Sequence, residues 1–83
     1  MFNPLVIHDI VQSISALNQG TDLERFALSL LIRKSKQPEF RFNQEGAIPE
    51  ARKILYDKEL LDCFGEIKTP LIHSVVLQSF PDS

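Results

Sequence analysis

A chain of 83 residues, 43% hydrophobic and 24% charged, suffices for one small globular domain and leaves little apolar surface for a deep catalytic pocket beside its core. Net charge is −2: residues 1–42 carry five basic and four acidic side chains (+1), residues 43–83 four and seven (−3), so neither half has the basic excess of a typical nucleic-acid binder. The one cysteine, Cys63, excludes a disulfide within these residues, and no apolar run approaches the roughly 20 residues of a bilayer-crossing helix.

The first helix is expected over residues 4–18. Pro4 suits a first turn and Asn3 a cap. Val6, Ile10, Ile14 and Leu17 recur at helical spacing, Ile7 and Val11 broaden the stripe, and His8, Gln12, Ser15 and Gln19 fall opposite. No basic residue precedes this apolar run and Asp9 interrupts it, which is not the pattern of a signal peptide. Together with the lone cysteine, this reads as a cytoplasmic protein with no membrane contact.

Asn18-Gln19-Gly20-Thr21-Asp22-Leu23-Glu24 reads as a helix stop followed at once by a helix start. Gly20 suits a left-handed terminator. Thr21 and Glu24 have the spacing of a capping box, in which a hydroxyl caps the new helix and a carboxylate reaches back. The second helix is expected over 22–35. Leu23, Phe26, Ala27, Leu30 and Leu31 form its main stripe, while Leu28 and Ile32 point nearly the other way. A helix apolar on two sides either crosses the centre of the domain or offers one side to a partner.

Pro38 ends this helix, since the residue before a proline disfavours helix. A short extended segment is expected near 39–42, and Asn43-Gln44-Glu45-Gly46 has the composition of a turn. Pro49 and Glu50 open a third helix with apolar Ala51, Ile54 and Leu55. Its stripe then drifts to Tyr56, Leu60, Cys63, Phe64 and Ile67, which implies a kink or a second helix recapped by Asp57, ended by Gly65. Thr69-Pro70 caps a last helix over 70–80, with a strand as the rival because the run is β-branched. Residues 1–83 thus read as a single all-α domain, a bundle of four to five short helices.

Chemistry-bearing patterns are sparse. One cysteine with His8 and His73 falls short of a structural zinc set, so Cys63 is expected buried beside Phe64 and no metal or cofactor is expected. No nucleophile signature surrounds Cys63 or any serine, so no catalytic residue is assigned and the chain is read as no enzyme. Gly20, Gly46 and Gly65 lie too far apart for a phosphate loop.

What remains is a protein-protein interaction module: an adaptor, inhibitor or assembly factor, or a self-associating homo-oligomer. Leu28 and Ile32 would supply the apolar face, with Arg25 and Arg33 at its rim. The alternative is a small regulator touching nucleic acid through segment 33–42. There Arg33, Lys34, Lys36 and Arg41 interleave with Phe40 and Phe42, the combination of cations and stacking aromatics that grips single strands. Cations at the end of a helix also complement its dipole without any ligand.

Overall fold

The computed structural model describes residues 7–41 and 48–81. Asn3, Pro4, Val6, Phe42 and the 43–46 turn lie outside the described residues. The fold is all-α: α1 (Ile7–Asn18), α2 (Asp22–Lys36), α3 (Ile48–Asp57) and α4 (Pro70–Ser79), with no strand among the described residues.

Helix α1 buries Ile10, Ile14 and Leu17. Ile7 and Val11, expected to broaden that stripe, are instead exposed. The α1–α2 junction is built by the predicted capping box. The Thr21 amide donates to Glu24 Oε1 at 2.8 Å, and the Glu24 amide donates to Thr21 Oγ1 at 3.2 Å. Thr21→Ala removes one acceptor from an otherwise orphaned amide and should lower stability by about 1 kcal/mol, read as a shift of the urea midpoint.

Gly20 plays a different part from the one expected. It does not adopt the left-handed conformation; among the described glycines only Gly65 has positive φ. A Cβ at Gly20 would instead sit 1.9 Å from Glu24 Oε1 and 3.1 Å from the Ala16 carbonyl oxygen. The glycine leaves room for the reciprocal carboxylate of the cap.

Helix α2 is the centre of the fold. It packs against α1, α3 and α4, whereas α1 additionally meets only α4. Ala27, Leu28, Leu30 and Leu31 are all buried in one core with Leu17, Leu55, Ile72 and Val76. Both apolar sides are therefore used, with Phe26 the exception in the main stripe, turned outward and 39% exposed.

No extended segment is seen over the described part of 39–42. The Phe40 amide donates to the Gln37 carbonyl at 2.8 Å, closing a turn at Pro38-Glu39. Proline at the first inner position of that turn is the favourable place for it.

Helix α3 starts at Ile48, with Pro49 and Glu50 in its first turn, and buries Ala51 and Leu55. It stops at Asp57 without kinking or being recapped. The Leu60 amide donates to the Leu55 carbonyl at 2.9 Å and the Glu59 amide to the Tyr56 carbonyl at 3.0 Å. This bond pair is a Schellman motif, and Glu59 occupies its left-handed position at φ 64. Leu55 and Leu60, the positions the motif brings together, are both fully buried. Gly65, expected to end this helix, lies beyond it in a loop.

A non-glycine residue in that conformation costs about 1–2 kcal/mol, and glycine adds about 0.4–1 kcal/mol of unfolded-chain entropy. Glu59→Gly should therefore stabilise the protein by roughly 0.5–1 kcal/mol, measurable as a higher melting temperature.

The last segment is a helix and not a strand. Thr69 Oγ1 accepts from the Ile72 amide at 3.3 Å, and Pro70 occupies the first turn. Ile72, Val75 and Val76 fall on one buried face. The local cap outweighs the β-branched composition.

Candidate interaction surface

The segment joining α3 to α4 is a tight loop organised by one carboxylate. Asp62 Oδ1 accepts from the Phe64 amide at 2.8 Å and from the Glu66 amide at 3.0 Å. The Asp62 amide donates to the Glu66 carbonyl at 2.9 Å, and Gly65 turns the chain at φ 83. Leu61 and Ile67 pair as an isolated antiparallel bridge. Leu61 is fully buried, so the base of the loop is anchored in the core.

The tip points the other way. Phe64 is 81% exposed, the most exposed large apolar side chain described. Cys63 is exposed as well. Both were expected inside, in a helical stripe with Leu60 and Ile67. That stripe does not exist, because α3 has already ended, and a loop reversing at Gly65 buries Leu60 and Leu61 while turning Cys63 and Phe64 outward.

A hollow of about 340 Å³ lies between this tip and α3, lined by Pro49, Arg52, Lys53, Tyr56, Asp62 and Cys63. Tyr56 is 51% exposed. Arg52 Nη2 donates to the Cys63 carbonyl at 2.8 Å, tying the tip to α3. Lys53 pairs with Asp57 at 3.3 Å across one helical turn. Of the two exposed aromatics, Tyr56 lines the hollow, and Phe64 follows Cys63, which lines it as well.

The residues expected to form an interface on α2 are dispersed. Leu28 is 4% exposed and belongs to the core, so it offers no surface. Ile32 is half-buried against that core and lines a shallow groove with Ser29, Arg33, Lys36 and Gln37. Arg25 is turned back on its own helix start, pairing with Asp22 and donating to the Gly20 carbonyl at 3.0 Å.

The basic-aromatic segment is drawn together, but largely by contacts within the chain. Lys34 is buried; its Nζ donates to the Pro38 and Phe40 carbonyls, each at 2.8 Å, and pairs with Glu66 Oε1 at 2.9 Å. Arg41 pairs with the other oxygen of Glu66 at 3.3 Å. The Arg33 guanidinium lies 4.7 Å from the centroid of the Phe40 ring, and Phe40 packs on the core. Lys36 has an enclosed Nζ with no hydrogen-bond partner in the structure. Phe42 lies outside the described residues.

Among the described residues no group of three or more His, Cys, Asp or Glu side chains is placed to hold a metal ion. Cys63 lines the α3 hollow, whereas His73 lines a separate one with Lys34, Glu66 and Thr69. No described helix is long and apolar enough to cross a membrane. Compared with protein-family models, with curated proteins and with solved structures, the chain finds no match.

Proposed function

We propose that this chain is a non-enzymatic protein-binding module, an adaptor, inhibitor or assembly factor, that docks through the face formed by Tyr56 and the Phe64 tip. The observation that carries this reading is the tip itself. Leaving Phe64 in water forgoes about 1.5–3 kcal/mol that burial would contribute. Yet its amide donates to Asp62 Oδ1, and three more hydrogen bonds close the loop around it, from the Glu66 amide to Asp62 Oδ1, from the Asp62 amide to the Glu66 carbonyl and from the Gly65 amide to the Asp62 carbonyl, so the ring stands on an ordered backbone. A preorganised aromatic loses little entropy on binding.

On this reading the interface lies on α3 and the following loop, and the buried Leu28 is outside it. Ile32 and Arg33 stay accessible enough to extend a contact area but supply no anchor. Nothing comparable supports the nucleic-acid alternative, because Lys34 and Arg41 already face Glu66 and Arg33 faces Phe40. A cytoplasmic setting belongs to the same reading, supported by an exposed unpaired thiol that a reducing compartment keeps reduced.

The test is affinity capture from source cells with the wild-type chain and with Phe64→Ser as baits, washed at low and high salt. A captured protein should persist at high salt and be lost with Phe64→Ser, whose thermal melt should match wild type. Identical captured sets for both baits, or retention that collapses steeply with salt as counterion release dictates, would overturn the reading.

A further inference from the structure

The geometry points to a binding site for a small phosphate dianion at the C-terminal end of α2, in the hollow that Arg33 and Lys36 share. It stands apart from the Tyr56–Phe64 face and has no described lining residue in common with the hollow there.

The helix itself assembles the site. Ser29, Arg33, Lys36 and the C-cap residue Gln37 follow at steps of three and four, so they share one face of α2. With Ile32 they line a hollow of about 300 Å³, the lower end of the range for small-molecule sites.

The donors of this face lack acceptors. Lys36 Nζ is enclosed and has no hydrogen-bond partner. An ammonium withdrawn from water without an acceptor bears its desolvation cost with nothing to offset it, and an anion in the hollow would supply what is missing. Because Lys36 lines the hollow, a turn of its flexible stem suffices to face the anion. Arg33 donates only through Nε, to Gln37 Oε1 at a long 3.4 Å, and its guanidinium lies 4.7 Å from the Phe40 ring centroid. Those contacts hold the guanidinium while both Nη groups keep their N–H bonds to give. With Oε1 turned to Arg33, Gln37 still has its amide nitrogen to donate.

Charge favours an anion at this hollow over the others. The α3 hollow includes Asp62 and the His73 hollow includes Glu66, whereas no carboxylate stands among the described lining residues of this one. Segment 33–41 has four cations and Glu39, and adding Glu66 leaves a balance of +2. That outweighs the roughly half negative charge at the end of a helix. A phosphate monoester brings about two charges and three terminal oxygens, enough for the Arg33 fork, the Lys36 ammonium and the Gln37 amide together. A carboxylate, or the phosphodiester of a nucleic acid, brings one charge and two such oxygens.

The test is titration of the nitrogen-labelled full chain with glycerol phosphate and, separately, inorganic phosphate at low ionic strength, followed by NMR and by thermal melts. Saturable binding should move the Arg33 Nε–H and Gln37 side-chain amide signals and raise the melting temperature. The tighter of the two probes tells whether the dianion comes as an ester or as the free ion. Arg33→Gln and Lys36→Met should each weaken binding by about tenfold or more. Without ligand, Lys36→Met should melt at or above wild type, because it removes an ammonium that has no acceptor. A lysine that served only the fold would lower the melt instead. Phe64→Ser should bind phosphate like wild type, so this site and the docking face stand or fall separately. No saturation at millimolar phosphate overturns the inference, as does unchanged affinity in Lys36→Met or equal binding of succinate. A single-stranded oligonucleotide that binds more tightly than either probe, with a steep salt dependence, overturns it in favour of nucleic acid.

Discussion

Leu28→Asp should leave the chain largely unfolded at room temperature, seen as lost helical circular dichroism. Leu28 is 4% exposed and packed in the core around α2. Its replacement removes about 1.5–3 kcal/mol of apolar burial. It also puts a carboxylate into the apolar core cluster, which costs several kcal/mol more even after the group takes up a proton. An 83-residue domain has a total of roughly 4–12 kcal/mol to lose. Ile32→Asp is the informative companion. Ile32 is half-buried at a groove shared with Arg33 and Lys36, so the new charge keeps access to water and to cations. That variant should stay folded, at a cost of about 1–2 kcal/mol. If Leu28→Asp melted like wild type, the second apolar side of α2 would not be core, and it would become an interface again.

Lys34→Met should cost about 2–4 kcal/mol, the largest effect expected of any charged residue here. The lysine stem and the methionine side chain fill similar space, so packing is largely kept. The loss is the ammonium, whose three donors are all engaged, by Pro38 O, Phe40 O and Glu66 Oε1. Two carbonyls of the turn after α2 then lose their donor, and the turn loses its tie to the loop before α4. Glu66→Gln should cost much less, about 1 kcal/mol or below, because Glu66 is 46% exposed and water replaces its partners. Urea titrations of both variants, with limited proteolysis after Phe40 as a local readout, separate the two contributions. Near-wild-type stability of Lys34→Met would show that the ammonium is not a structural tie. Lys34 would then be free to meet phosphate, as the pattern of segment 33–42 first suggested.

Where a feature was legible in the chain, its cause lies within a few residues. Thr21 and Glu24 specify the start of α2 because both halves of the capping box are three residues apart. Thr69-Pro70 likewise favours helix over strand for a β-branched run, since the cap and the proline both act within the first turn itself. The spacing of Ile10, Ile14 and Leu17 names the buried face of α1. Other features depend on what arrives from elsewhere. Periodicity marks Leu28 and Ile32 as apolar but cannot say whether α3 and α4 cover them. Lys34 looks like any helix-terminal cation until Glu66 and the turn carbonyls close around it. Glu59, a residue with no preference for positive φ, ends α3 because that conformation lets Leu60 and Leu61 enter the core, a gain that exists only once α2 is in place to receive them. The exposure of Cys63 and Phe64 follows from the same event. A helix continued past Asp57 would have kept them in the buried stripe, and burying the two leucines instead turned them to the surface.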